Sequence, residues 1–212
     1  LTIANANEII ESLTNVVLPK ILKKYDSINY SLEGEQQEQG DNLKSLGKNF
    51  ILAMIVVYML LAIPFKSYFQ PLVVMSSIPF GVTGAVMGHV IMGMNLSVLS
   101  MMGIVALTGV VVNDSLVMVD FINRYRKEGN TIKQSVLEAG PRRFRPIFLT
   151  SLTTFVGLVP LILEKSTQAK FIIPMAVSLS FGVLFATAIT LLLVPVSYLT
   201  LEKYILKTEE NK

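Results

Sequence analysis

Hydrophobic and polar positions are spread very unevenly along this chain. Between Lys66 and Asp114 lie 47 consecutive residues without a formal charge, and His89 is the one among them whose ordinary titration range is near neutral pH. Further uncharged intervals cover 49–65 (17 residues), 146–163 (18 residues) and 171–201 (31 residues). A helix needs about 20 mostly apolar residues to cross a hydrocarbon core of about 30 Å. Buried helices of soluble proteins rarely run that far without a polar face. As a single helix the longest interval would measure about 70 Å, so it must turn and cross twice. The pattern predicts a transmembrane domain over 41–204 with five helices, at about 43–63, 72–91, 96–122, 146–163 and 172–199. Pro64 and Pro71 bracket one turn, and Gly93-Met94-Asn95 forms the next. Within the segment 123–145, read as a loop, 131–139 suits an interfacial helix stopped by Gly140-Pro141.

The first forty residues follow a different pattern. Ile9, Ile10, Leu13, Val16, Val17 and Ile21 recur at helical spacing, with Glu8, Glu11, Asn15 and Lys20 on the other side. This predicts an amphipathic helix over about 7–24, with Pro19 as a candidate kink. Ile28, Tyr30 and Leu32 alternate with Asn29, Ser31 and Glu33, which suits a short strand, and 35–40 reads as a polar linker. One helix and one strand cannot bury a core alone, so 1–40 is expected to be the α+β end of an extramembrane domain. The chain accordingly reads as a piece of a longer protein.

Composition agrees with the spans. Mean hydropathy is +0.58, and charged residues make up 16% of the chain, against about 25% in ordinary globular domains. The net charge of +3 does not point to nucleic acid, because the cations cluster beside apolar spans. The absence of Cys excludes a disulfide framework and a thiolate metal site. No cofactor and no resident metal site is expected.

Charge also orients the spans. Residues 123–145 carry seven cations (Arg124, Arg126, Lys127, Lys133, Arg142, Arg143 and Arg145) against Glu128 and Glu138. Lys66, Lys203 and Lys207 fall on the same side, the last two at the start of and within the tail (205–212 lying wholly beyond the spans). The positive-inside rule places these segments in the cytoplasm and 1–40 outside.

Asp114 is the exceptional residue, a carboxylate inside the third span with Asn113 before it and Ser115 after it. A mid-membrane charge costs at least about 2.5 kcal/mol, so such a group faces a bundle interior or a water-filled path. It is a candidate proton carrier; the plainer alternative is a structural carboxyl hydrogen-bonded between helices. Asp120 is a secondary candidate and more simply a membrane-edge partner of Arg124. Among the hydroxyls Thr150, Ser151, Thr153 and Thr154, one or more is expected to contact Asp114. Gly103, Ala106, Gly109 or Val110, Asn113, Val117 and Asp120 fall along one side of the third span, small where a helix could approach. Gly84-xxx-Gly88 in the second span and Ser178-xxx-Gly182-xxx-Ala186-xxx-Thr190 in the fifth predict close packing. His89 suits an interfacial or packing role. The ten methionines are scattered and serve as space-fillers as readily as soft-metal ligands. No nucleophile triad, phosphate loop or His/Asp/Glu metal cluster is present in the sequence.

The joined motifs resemble one family. Gly103-Ile-Val-Ala-Leu-Thr-Gly-Val-Val-Val-Asn113-Asp114-Ser-Leu-Val-Met-Val-Asp120-Phe121, Arg143-Phe-Arg145-Pro146-Ile-Phe-Leu-Thr150-Ser and Gly157-Leu-Val-Pro160 are similar to the resistance-nodulation-division efflux transporters. Pro64-Phe-Lys-Ser-Tyr-Phe-Gln-Pro71 and Ile78-Pro79-Phe-Gly81 extend the likeness. The resemblance implies an all-α polytopic membrane protein: the last five of twelve helices, after the short α+β remnant of a periplasmic porter domain. It further implies a proton antiporter in the inner membrane of a Gram-negative bacterium, not an enzyme. The implied partners are two further copies in a homotrimer, a periplasmic adaptor, an outer-membrane channel, the lipid bilayer, protons and small amphiphilic substrates or drugs. Heavy-metal export is an alternative cargo, and a non-transporting membrane protein in lipid or protein traffic an alternative class. In many drug-exporting members a lysine on the tenth helix pairs with two aspartates on the fourth; Asn113 stands at the matching position here, beside Asp114. Arg143 and Thr150 match positions associated with the proton path, and Ser151 adjoins them.

Overall fold

A computed structural model describes residues 12–23 and 35–204. The chain divides into two units, Leu1–Asn42 and Leu43–Lys212. In the first, a π-helical turn over Leu13–Val17 leads into α1 (Leu18–Leu22). Pro19 sits in the first turn of α1, where its missing N–H costs nothing, so it opens a helix rather than kinking one. Two expectations for this unit are corrected. Among the described residues no strand exists, so the α+β description of the remnant does not stand; the alternating stretch 28–32 lies outside the described residues. The supposed linker at 35–40 is the start of α2 (Glu35–Phe65). Its Glu and Gln residues are good helix formers, and helix propensity outweighs their polarity.

The second unit is an all-α bundle of α2 together with α3 (Gln70–Met75), α4 (Ile78–Met92), α5 (Val98–Lys127), α6 (Ile132–Ile162) and α7 (Ala169–Tyr204). Five stretches are long and apolar enough to cross a membrane: Gly40–Phe65, Gln70–Met92, Val98–Lys127, Ile132–Ile162 and Ala169–Leu201. The second of them is broken at Ser76 and Ser77, just before Pro79, whose ring nitrogen has no proton to give the preceding turn. The segment 123–145 is also corrected from a loop to two helix ends. α5 runs on to Lys127, Gly129 turns the chain at φ 94°, and α6 begins at Ile132. Gly140-Pro141 does not stop α6, because Gly140 lacks the left-handed backbone of a helix terminator. The tail 205–212 lies outside the described residues.

Caps set the helix starts. Ser97 accepts from the Ser100 N–H at 3.2 Å while Ser100 Oγ accepts from the Ser97 N–H at 3.1 Å. Thr131 and Gln134 repeat this box at the start of α6. Gly93, at φ 63°, ends α4 in the left-handed conformation, and the Met94 N–H reaches back to the His89 carbonyl.

α7 is the helix against which α4, α5 and α6 all pack. Glycines permit the close approach. A Cβ placed at Gly88 would lie 2.5 Å from Phe181 Cβ, and one at Gly84 would strike Phe185 Cβ. A Cβ at Gly103 would strike the Met175 carbonyl, and one at Gly182 the Leu107 side chain. Ser178 is fully buried at the Gly103 contact. Gly109 is different: nothing lies within 4 Å of its would-be Cβ, so the packing role expected for it is not present in this bundle. α2 stands apart, with 6% of its apolar stretch buried against 50% for α5 and α7. Its contact is made near its end, where Leu61, Val57 and Phe65 join a cluster containing Met118, Ile122 and Tyr198.

Two sets of polar groups pair across the helices. Asn123 donates to the Gln70 side-chain carbonyl at 2.8 Å, and the Tyr198 hydroxyl donates to Asn123 Oδ1 at 2.7 Å, tying α3, α5 and α7 together. His89 Nδ1 donates to the Ala85 carbonyl at 3.0 Å, so in the neutral ring Nε2 accepts from Ser100 Oγ at 2.8 Å. That bond fastens α4 to the capping box of α5.

Three outcomes are expected in thermal unfolding of the detergent-solubilised protein. Gly88→Ala should destabilise by about 1–3 kcal/mol through overpacking, whereas Gly140→Ala, with open space around it, should be neutral or stabilise by up to about 1 kcal/mol. Tyr198→Phe should cost about 1 kcal/mol, because Gln70 and Asn123 still satisfy each other once the phenol is gone.

Candidate functional site

The candidate site lies midway along α5, where the helix faces α6 and α7. Asp114 is buried, with 6% of its surface exposed. The helical period places Val111, Ser115 and Met118 on the same buried side. Its carboxylate lies beside the Ser151 hydroxyl of α6, near enough to be influenced by it. Ser151 itself is within hydrogen-bonding distance of the Ile147 carbonyl at 3.0 Å and of the Thr187 hydroxyl of α7. One hydroxyl carries one proton, so Ser151 can donate to only one of Asp114, Ile147 and Thr187 at a time. Next to Asp114, Ser115 Oγ pairs with Ser77 Oγ at 2.9 Å, joining α5 to the break before α4. The site is therefore a carboxylate with hydroxyls drawn from four elements of the bundle.

The other candidates are distributed differently. Asn113 is exposed, turned away from the buried side that holds Asp114. Thr150 is exposed and donates to its own helix at the Ile147 carbonyl, 2.8 Å away. Thr153 and Thr154 likewise donate to backbone carbonyls one turn back. Of the four hydroxyls expected to meet Asp114, Ser151 alone is buried. Arg143 lays its guanidinium over the Phe121 ring at 4.9 Å, two turns beyond Asp114 on α5, and its Nε is buried without a hydrogen-bond partner. Asp120 lies two turns before the end of α5, paired with Arg124 at 2.9 Å. Ser178 Oγ is buried and unpartnered in the α5–α7 contact. No group of three or more His, Cys, Asp or Glu able to hold a metal occurs among the described residues.

Two participants escaped the sequence reading. Thr187 lies one position beyond Ala186 in the small-residue stripe, but nothing in the stripe singled it out. Ser77 was hidden in an apolar run; the signal that could have found it was the Ser-Ser-Ile-Pro break, where a helix restarts and a hydroxyl is free to cross to a neighbour.

An apolar cavity of about 510 Å³ adjoins the site between α6 and α7, with Phe144, Phe148, Leu184 and Leu191 in its wall and Ser151 and Thr187 at its edge. The Phe144 and Phe148 rings stack at 5.5 Å.

Comparison with known proteins bears on this arrangement. Residues 3–202 match the AcrB/AcrD/AcrF family. The swarming motility protein SwrC of Bacillus subtilis (strain 168) is 32% identical over 180 residues, which is 84% of this chain and 17% of that protein. Two crystal forms of a heavy metal efflux pump superpose on 90% of this chain. Form II does so with a TM-score of 0.75 at 26% identity and form I with 0.72 at 24% identity. The chain spans 19% and 20% of those two structures, and so about a fifth of the length of the proteins it resembles. The match over nearly every residue settles the family: this chain belongs to the AcrB/AcrD/AcrF family of resistance-nodulation-division transporters, which are secondary active transporters rather than enzymes.

Proposed function

We propose that the chain is the C-terminal membrane part of a proton-coupled exporter and that Asp114 is its proton-handling group. The supporting observation is a buried carboxylate at mid-span whose neighbours are hydroxyls able to redirect their protons. With Asp114 ionised, Ser151 turns its proton to the carboxylate and accepts one from Thr187. With Asp114 protonated, Ser151 donates to the Ile147 carbonyl instead. The two arrangements bond α5, α6 and α7 to one another differently, so a proton arriving at Asp114 biases how the helices sit. Asn113 and Thr150, on outward faces, do not share in this exchange. Arg143 acts through its seat on Phe121, holding α6 against α5.

The basic ends of the helices orient the bundle, with 123–145 and Lys66 on the cytoplasmic side and 1–40 on the periplasmic side of the inner membrane. Assembly as a trimer with a periplasmic adaptor and an outer-membrane channel is the partnership that family membership favours. For the cargo, the structural relative described as a heavy metal efflux pump, seen in two crystal forms, favours a heavy-metal cation over the amphiphiles first expected. The cation is a transported substrate, to be selected in parts of the parent outside this chain.

Reconstitution of the full-length parent in proteoliposomes under an imposed pH gradient tests the activity and the cargo together. Gradient-dependent movement of copper(I), silver(I) or zinc is the expected outcome. Movement of an amphiphilic dye panel without metal flux would restore the amphiphile reading, and indifference to the gradient would remove proton coupling. In the same assay Asp114→Asn should lower flux by about 100-fold at unchanged insertion, since the amide keeps the shape and loses the titration. Ser151→Ala should lower it by about tenfold, and Asp120→Asn should change it little. An Asp114→Asn protein retaining half the wild-type flux would make Asp114 a structural carboxyl.

A further inference from the structure

A second cavity, outside the Asp114 site, lies at the basic end of the bundle. Its volume is about 500 Å³, in the range of sites that hold small molecules. Pro64 and Phe65 of α2 form one wall, and Leu116, Arg124, Arg126 and Lys127 of α5 the other. Among the described residues of the lining, Asp120 is the carboxylate, and Arg124, Arg126 and Lys127 are the cations beside it. That anion is already engaged: its Oδ2 meets Arg124 Nε at 2.9 Å, which fixes the guanidinium and leaves its remaining N–H groups pointing elsewhere. Asn123 also borders the cavity, but its side chain is tied to Gln70 and Tyr198 and serves as a fixed wall. Lys127 is exposed at the last turn of α5. Along α2, the surface leading away from Phe65 is apolar and open, with Ile63 73% and Leu60 62% exposed.

We infer that this cavity binds an anionic phospholipid, its phosphate held by Arg124, Arg126 and Lys127 and its acyl chains laid along the exposed face of α2. The cavity joins the two chemistries of such a lipid. Cations at its rim suit a phosphate, and Pro64, Phe65 and Leu116 suit the glycerol and first methylenes. A soluble phosphate would use the cations and leave the apolar wall without a purpose. A zwitterionic lipid would set its own cation against those of the rim. α2 gains a second support from the lipid, since its protein contacts are limited to the Val57–Leu61–Phe65 end. The inference rests on the proposed orientation only for the leaflet that supplies the lipid.

Native mass spectrometry of the detergent-solubilised full-length parent tests this without reference to transport or orientation. Phosphatidylglycerol is titrated against phosphatidylcholine, with inorganic phosphate as competitor, on the wild type and on the double variant Arg126→Gln, Lys127→Gln. Phosphatidylglycerol should be retained selectively and should resist displacement by phosphate. Loss of two cations should weaken its retention by about 30-fold. Equal retention of phosphatidylcholine, displacement by phosphate, or unchanged retention in the folded double variant each overturns the site. Should that variant fold poorly, the wild-type comparison of the two lipids still decides. Cysteine labelling at position 133 from either side of the membrane separately reads the orientation, so a wrong leaflet and an absent site give different results.

Discussion

Close approach of helix backbones is the constraint on which the membrane part depends. Lipid tails are as apolar as leucine side chains, so burying leucine against leucine gains little inside a bilayer. Helices there are held by tight packing and by interhelical hydrogen bonds. α7 achieves the first because Gly84, Gly88 and Gly103 leave room for Phe185, Phe181 and the Met175 backbone, while Gly182 admits Leu107 in return. Once α7 is seated that deeply, Thr187 is delivered beside Ser151 and α6 is drawn against α5 at Asp114. The candidate site is thus a consequence of glycine packing at contacts several turns away.

The polar bonds then divide the labour by depth. At one end His89 and Ser100 lock α4 to α5, and at the other Gln70, Asn123 and Tyr198 lock α3, α5 and α7. Both clusters consist of groups whose donors and acceptors are matched, which is how a low-dielectric interior tolerates them. The middle cluster differs in kind. Ser151 has more acceptors than protons, and Asp114 is a group whose own proton count can change. Under the proposed proton coupling, rigid polar bonds at the two ends and an underdetermined one between them would make the middle the place where helix positions respond to a proton.

The sequence made the spans legible because missing charges report the hydrocarbon directly, and its small-residue spacings marked faces of α4 and α7 without saying that they meet each other. Where the reading departed from the structure, a local signal had been given more weight than its backbone allowed. Gly140-Pro141 looks like a terminator, yet Pro141, Pro146 and Pro160 all lie within α6. In a membrane bundle neighbouring helices and hydroxyls re-satisfy the carbonyls that a proline frees, so the residue type alone does not end a helix. The stripe through Gly109 and Asn113 was assigned to packing from its spacing, but spacing defines a face without saying what the face meets. In this bundle Ala106, Gly109 and Asn113 of the stripe are exposed while Gly103 is buried against α7, and the adjacent face bearing Asp114 is the buried one. Hydroxyl partners were the least legible of all. Four hydroxyls stand within five residues of α6, and only the crossing of α6 over α5 and α7 selects Ser151 from among them.

That selection bears on what Asn113 can mean. The family resemblance places it at a position where many members carry a lysine, and its outward aspect here would let a side chain at that position reach a neighbour beyond this bundle. Asp114, one residue on, is turned about 100° around the helix axis and faces inward. The two positions therefore address different surroundings and cannot stand in for one another. An asparagine at the outward position supplies hydrogen bonds without charge, while the inward carboxylate retains a titratable group within reach of α6 and α7. Moving the titratable group by a single residue moves the helices it can influence, from those outside the bundle to the two that Ser151 and Thr187 already join.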